Sequence, residues 1–359
     1  MEKVPAMVYC EGAFSTTYGK TAHGLVRFTL RYHVVAVIDS TCRGMDAGEF
    51  LDQRPNGIPV VESLQEAMEA GTSVHHTPTH LVIGLAPDGG RLSASAREDI
   101  IDAIKLGLNI DSGLHDFLSD DPEISSLAAS HGVTIRDIRK TPPRSQLHDF
   151  TGKISAVDAF KIAVLGTDSA LGKRTTAWKV VQGLNSRKIR AEMIGTGQTS
   201  WLQGARYGII LDSLINDFVA GELEHAIYSA WEKEKPQVIL IEGQGSLLNP
   251  AYPGGFEILA AGRPDCLIVQ HAPRRVEYDG FPGYPIHPLD HQLKALMMIS
   301  SKKVLAIALN HELMKPEEIP LECERITRET GIPCFDVLTQ GADGICNLIV
   351  PMLKVKENG

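Results

Sequence analysis

The chain has 359 residues, enough for two domains of ordinary size. With 43% hydrophobic and 22% charged residues it reads as an ordinary globular protein, and a net charge of −9 argues against a nucleic-acid surface, which favours a basic stripe. No apolar run approaches the ~20 residues that cross a bilayer, and the first residues lack the pattern of a secretory leader. The six cysteines are scattered with no C-x-x-C pair, so reduced buried thiols are expected and no zinc site. The expectation is a cytoplasmic protein that handles a small molecule, with no nucleic acid and no membrane as partner.

In chain order, apolar runs at 6–10, 33–39, 58–61, 80–85 and 109–111 predict strands. Amphipathic stretches at 20–32, 63–70, 94–106 and 123–131 predict helices between them. This alternation predicts a Rossmann-like α/β domain over residues 1–144. Its first strand runs into Glu11-Gly-Ala-Phe-Ser-Thr-Thr-Tyr-Gly19, not G-x-G-x-x-G, so the NAD fingerprint is absent and dehydrogenase chemistry is not expected. Asp39, at the end of the second strand, is a candidate for a ribose hydroxyl. The consecutive prolines of Thr141-Pro142-Pro143-Arg144 resist both helix and central strand and mark the domain boundary.

A second series follows over residues 145–359, with strands predicted at 161–165, 191–194, 237–241, 265–270, 303–309 and 334–337. Helices are predicted at 173–185, 217–233, 292–299 and 341–353, giving a P-loop nucleoside-triphosphate-hydrolase-like domain with a largely parallel sheet. The expected fold class is thus α/β in two domains. Ligands of such sheets sit outside the carboxyl ends of the strands, so the residues just after each strand carry the chemistry.

After the strand at 161–165 comes Gly166-Thr-Asp-Ser-Ala-Leu-Gly172-Lys173-Arg174-Thr175-Thr176, which opens a helix. Glycines allow the tight turn, backbone N–H groups and the helix dipole favour an anion, and the lysine reaches a phosphate oxygen. Gly166, Thr167, Asp168, Ser169, Gly172, Lys173, Arg174, Thr175 and Thr176 are therefore candidate phosphate-binding residues. Against G-x-x-x-x-G-K-[ST], this loop holds five residues between its glycines, and Arg174 stands where the magnesium-binding hydroxyl belongs. Thr175 offers a hydroxyl one position later, turned by ~100° on the helix. Arg174 is either a further phosphate contact or a solvated helix arginine. The loop resembles that of dethiobiotin synthetase and related P-loop ligases, which carry a G-T-D loop ending in Gly-Lys-Thr.

Other strand ends add candidates. Glu242, in Glu242-Gly-Gln-Gly-Ser246, holds a Walker-B-like position and is a candidate catalytic base or metal–water ligand. His271 is a second candidate base, with Arg274 nearby to clamp a substrate carboxylate. Gln198 and Thr199, in Gly195-Thr-Gly-Gln-Thr199, are candidates for a small polar substrate. Asn310 is a candidate for reading a base edge, as in the ligase relatives, or merely ends its strand. His287, Asp290 and His291 lie among prolines 282, 285 and 288, an irregular loop where no metal site is expected. In the first domain, the strand-to-loop segments 81–90 and 110–115 are expected to line one cleft, in a pattern loosely similar to the CoA-binding domain of acyl-CoA synthetases.

Taken together, 110–115, 166–176, 195–199, 217–221 and 241–246 are similar to the corresponding segments of one family with a Rossmann-like N-terminal and a P-loop C-terminal domain. Its functionally assigned member is a D-glutamate N-acetyltransferase that uses acetyl-CoA. The resemblance implies acetyl-CoA-dependent N-acetylation of an acidic amino acid, D-glutamate first, by a homo-oligomer. It also accounts for the loop: coenzyme A carries phosphates that a P-loop can hold without splitting them. In this reading Glu242 or His271 is the base, Lys173 or Thr175 an anion donor, and Arg274 the carboxylate partner. The alternatives are an ATP- and Mg²⁺-dependent ligase or kinase resembling dethiobiotin synthetase, built on Lys173, Thr175 and Glu242, and a nucleotide-responsive regulator without turnover.

Overall fold

The structure, a computed structural model, describes residues 2–356. The chain forms two compact units: Met1–Pro142 with Gln198–Ala205, and Pro143–Gly197 with Arg206–Gly359. Each has its own sheet.

The first unit is Rossmann-like. Strands β1 (Val4–Tyr9), β2 (Tyr32–Ile38), β3 (Val60–Val61), β4 (His80–Ile83), β5 (Asn109–Ser112) and β6 (Ile135–Asp137) lie in the order β3-β2-β1-β4-β5-β6. Every pair is parallel. That is the doubly wound order, and strands sandwiched between helices read as unbroken apolar runs, as Ala6, Met7 and Val8 do. The edge strand β6 has no such run; Ile-Arg-Asp is only half-buried, which is why periodicity does not reveal it.

The same unit takes in a segment that lies far away in the sequence. The short helix Gln198–Gln203 is docked by Gln203, whose Nε2 donates to Gly24 O at 2.7 Å and Phe28 O at 2.9 Å, and by Thr29, whose Oγ1 donates to Leu202 O at 3.3 Å. Arg31 lies 3.8 Å from the Trp201 ring centroid and donates from Nε to Trp201 O. The expected continuous second domain over residues 145–359 is thus interrupted at Gln198–Ala205.

The second unit holds a seven-stranded, wholly parallel sheet. Its strands are β7 (Phe160–Gly166), β8 (Ala191–Gly195), β9 (Tyr207–Gly208), β10 (Val238–Glu242), β11 (Cys266–His271), β12 (Val304–Leu309) and β13 (Cys334–Phe335). The order is β13-β12-β11-β7-β10-β8-β9. Central β7 is buried at every position and pairs β10 on one side and β11 on the other. Register sets Glu242 opposite Val164 and Gln270 opposite Gly166, so three strands end together around the glycine loop. The helix Glu318–Thr330 was not visible as a helical pattern: its buried stripe is only Ile319, Cys323 and Ile326, and Pro320 sits in its first turn, where proline is tolerated. Among the described residues no helix is long and apolar enough to cross a membrane.

Candidate functional site

The loop between β7 and the helix Lys173–Ser186 is shaped by two demands. Gly172 has φ +96°, a conformation that side chains disfavour, and it caps the helix without any side-chain hydrogen bond. No acidic residue stands in the helix's first turn. The positive end of the helix dipole therefore meets no carboxylate from its own first turn, a setting that favours an external anion.

Lys173 is buried, and its Nζ donates to two carbonyls, Asp168 O at 2.6 Å and Gly245 O at 2.9 Å. Burial pushes its ammonium down to about 8, against the opposing pull of Asp168 and Glu242. Arg174 and Thr175 are half-buried, and Thr176 is buried with its hydroxyl donating to Gln270 Oε1 at 2.5 Å. Thr176 thus ties the helix to β11 and is not directed at a ligand.

Asp168 is fully buried, and all its acceptor positions are in use. Its Oδ1 accepts from Ser169 N and Asn249 Nδ2, both at 2.7 Å. Its Oδ2 accepts from Asp279 N at 2.8 Å and Arg275 Nη1 at 2.9 Å. Arg275 also donates from Nε and Nη2 to Glu312 and from Nη1 to Ser169 O. Burial opposes the Arg275 charge, but its bonds to Glu312 and Asp168 outweigh this and hold it above the ordinary arginine range. Asp168 is therefore the anchor of the loop. Sequence reasoning missed Arg275, Asn249, Asp279 and Glu312 as its partners; nothing in the sequence separates Arg275 from Arg274.

Glu242 ends β10, buried, and its Oε2 accepts from Thr196 N at 2.9 Å, while its backbone carbonyl accepts from Thr196 Oγ1. His271 ends β11 with Nδ1 3.0 Å from Thr167 Oγ1, and burial pushes its imidazole down to about 4. It is neutral throughout the physiological range. Asn310 is used differently from the expected base reader: its Nδ2 donates to Leu171 O at 2.9 Å and its Oδ1 accepts from Glu312 N at 2.9 Å, so both ends of the amide brace the loop. Beside it, His311 pairs through Nδ1 with the buried Asp336, which also accepts from Leu338 N and Thr339 N. A carboxylate fixing one ring nitrogen is the arrangement that orients a histidine base. The sequence displayed His311 at a strand end, but nothing in it indicated Asp336.

Four other candidates have partners elsewhere in their own units. Arg274 is exposed and donates to Glu318 at 3.2 Å. Gln198 and Thr199 belong to the first unit, where Thr199 Oγ1 lies 3.0 Å from Thr21 Oγ1 and an added Cβ on Gly113 would meet Gln198 Cγ at 2.7 Å. Asp39 is likewise not presented to a ribose: its oxygens accept from Ala13 N, Phe14 N, Thr41 N and Thr41 Oγ1.

A central parallel strand, a glycine turn, an uncapped helix start and a buried lysine define a P-loop protein, here joined to a Rossmann-like unit. The chain belongs to the DUF1611 family: residues 148–346 match the Domain of unknown function (DUF1611_C) P-loop domain, and residues 40–141 the DUF1611_N Rossmann-like domain. It is 29% identical over 286 residues to a D-glutamate N-acetyltransferase of Tritonibacter scottomollicae, across 78% of this chain and 82% of that protein. A D-glutamate N-acetyltransferase of a Pseudoalteromonas species is 32% identical over 270 residues, across 74% of this chain and 79% of the relative. The crystal structure of a DUF1611 family protein from Anabaena variabilis is similar with a TM-score of 0.88 at 28% identity, covering 97% of this chain and all of that one.

Proposed function

We propose that this protein is an N-acetyltransferase that acetylates D-glutamate with acetyl-CoA as donor. The observation that carries the reading, beside the names of the relatives, is a loop suited to holding phosphates while Arg174 stands in place of the metal-binding hydroxyl. The helix start and Lys173 would hold the phosphates of coenzyme A; the bound thioester supplies an activated acyl carbonyl. Transfer forms an N–C bond, breaks the C–S bond and releases a free thiol; the ammonium nitrogen gives up two protons, one lost before attack and one that ends on the departing thiolate. A base must take that proton. His271, held neutral down to about 4, is a weak acceptor, which leaves Glu242 and the Asp336-oriented His311 as the stronger candidates. Arg274, free of packing duties, remains the candidate for the substrate carboxylate.

The test is to incubate the protein with acetyl-CoA and D- or L-glutamate and follow free thiol beside an ATP-consumption assay. Thiol release that requires D-glutamate and no ATP supports the proposal, and Glu242→Gln or His311→Asn should then lower kcat more than it raises KM. ATP cleavage coupled to product, with no thiol released, would replace it with the ATP- and Mg²⁺-dependent ligase.

A further inference from the structure

The turn after β10 carries a hydroxyl that none of the roles above uses. Ser246 is 3% exposed, and its Oγ has no hydrogen-bond partner among the described residues. Burying an unpaired hydroxyl is unfavourable, and most buried polar side-chain atoms in proteins are paired. The backbone around it is closely held. Ser246 N donates to Tyr252 O at 3.2 Å, and its carbonyl accepts from Gly254 N at 3.1 Å and Asn249 N at 3.3 Å. Gly245, at φ +50°, must be glycine, because an added Cβ would lie 1.9 Å from Tyr252 O. Asn249 of the same turn then reaches Asp168, so this turn and the glycine loop are built as one piece.

The position of Ser246 follows from its neighbour. Gly245 O is one of the two carbonyls that hold Lys173 Nζ, at 2.9 Å. Bond lengths alone keep a serine Oγ within about 5 Å of the preceding carbonyl oxygen, and so within about 8 Å of Nζ. One diphosphate group spans most of that distance. We propose that Ser246 is a ligand-binding residue, its hydroxyl donating a hydrogen bond to an oxygen of the phosphate-bearing ligand that Lys173 and the helix start receive. This rests on the phosphate reading of the glycine loop. It also supplies, from the turn after β10, a hydroxyl of the kind that Arg174 displaces from the loop itself. A nucleophilic role is not favoured, since an attacking serine needs a base within hydrogen-bond reach and Oγ has none.

The experiment is calorimetric titration of the full chain with coenzyme A, ATP, inorganic pyrophosphate and phosphate-free pantetheine, on the parent, Ser246→Ala and Lys173→Ala, with a thermal melt of each. Ser246→Ala should weaken whichever phosphate-bearing probe the parent binds by about ten- to a hundredfold. Pantetheine binding and Tm should not fall, because no internal bond is lost. Unchanged phosphate affinity in Ser246→Ala, with Lys173→Ala weakened, overturns the role of Ser246 and leaves the loop's role standing. Unchanged affinity in Lys173→Ala overturns both. A fall in Tm together with equal loss of every probe makes Ser246 structural and also overturns the proposal.

Discussion

Each unit places a loop after the first strand of its parallel sheet, and each loop is pinned by a fully buried aspartate, yet the two loops are held in different ways. In the first unit Asp39 accepts from Ala13 N and Phe14 N, and the loop is filled by its own side chains: buried Phe14 packs against His23 and Phe50 at ring separations of 5.3 and 5.4 Å. In the second, Asp168 is held from outside the loop by Asn249, Arg275 and Asp279, and the loop carries no aromatic plug. Its N–H groups and Lys173 border the helix start instead. The topological position is the same; the first loop buries an aromatic ring of its own, whereas the second buries only Leu171 of its apolar side chains and is braced by the segments after the neighbouring strands.

The comparison can be broken at its anchors. Asp168→Ala would leave half-buried Arg275 with one partner fewer and release the loop, at a cost of about 3–5 kcal/mol in chemical denaturation and with loss of phosphate binding. Asp39→Ala removes a comparable set of bonds, at roughly 2–4 kcal/mol, but the folded fraction should bind phosphates with parental affinity. Equal loss of affinity in both variants would mean that the two loops do not have the separate duties described. Lys173→Ala comes next: ligand affinity should drop about a hundredfold as a charge-assisted contact to phosphate is lost, with a modest fall in Tm because Asp168 O and Gly245 O lose their shared donor.

How much of this was legible depends on whether a feature is local in sequence. The phosphate loop was, because strand, glycines, lysine and helix follow one another within Gly166–Thr176 and each has a local signature. The first four strands of the Rossmann-like unit were, because buried parallel strands are apolar runs. Asp168's role was not: its partners lie some 80 to 110 positions downstream, and only the pairing of β7 with β10 and β11 brings them to it. The docking of Gln198–Ala205 on the first unit was not legible for a related reason. Gln203 and Trp201 find their partners at Gly24, Phe28 and Arg31, a choice that composition does not encode.

Lys173 sharpens the contrast through pH. Its folded-state value of about 8 lies below the ordinary ~10.4 of a lysine. Below pH 8 it is charged in both folded and unfolded chain. Between about 8 and ~10.4 the unfolded chain binds more protons, so this group's contribution to stability rises with pH. Anion binding needs the charged form, so affinity should move the other way and fall by up to about tenfold per pH unit above 8. Titrations with coenzyme A or pyrophosphate between pH 7 and 10 measure it; affinity flat across that range would remove Lys173 from the anion's contacts.

The smallest expected effect is at Arg274, and its smallness is what makes it useful. Arg275, next to it, bridges Asp168 and Glu312 from a nearly buried position, so Arg275→Ala perturbs fold and site together and cannot isolate a substrate contact. Arg274 is about half exposed, and its ion pair with Glu318 is 3.2 Å long and exposed at both ends. Such pairs contribute ~0–1 kcal/mol, so Arg274→Ala should leave Tm and phosphate affinity near parental values. Any change in the kinetics of the amino acid would then report on the amino acid alone. If Arg274 holds the substrate carboxylate, KM for D-glutamate should rise about ten- to a hundredfold at nearly unchanged kcat, the mark of a contact made equally in ground and transition states. A variant with parental KM would take Arg274 out of the site, leaving it a surface arginine beside Glu318.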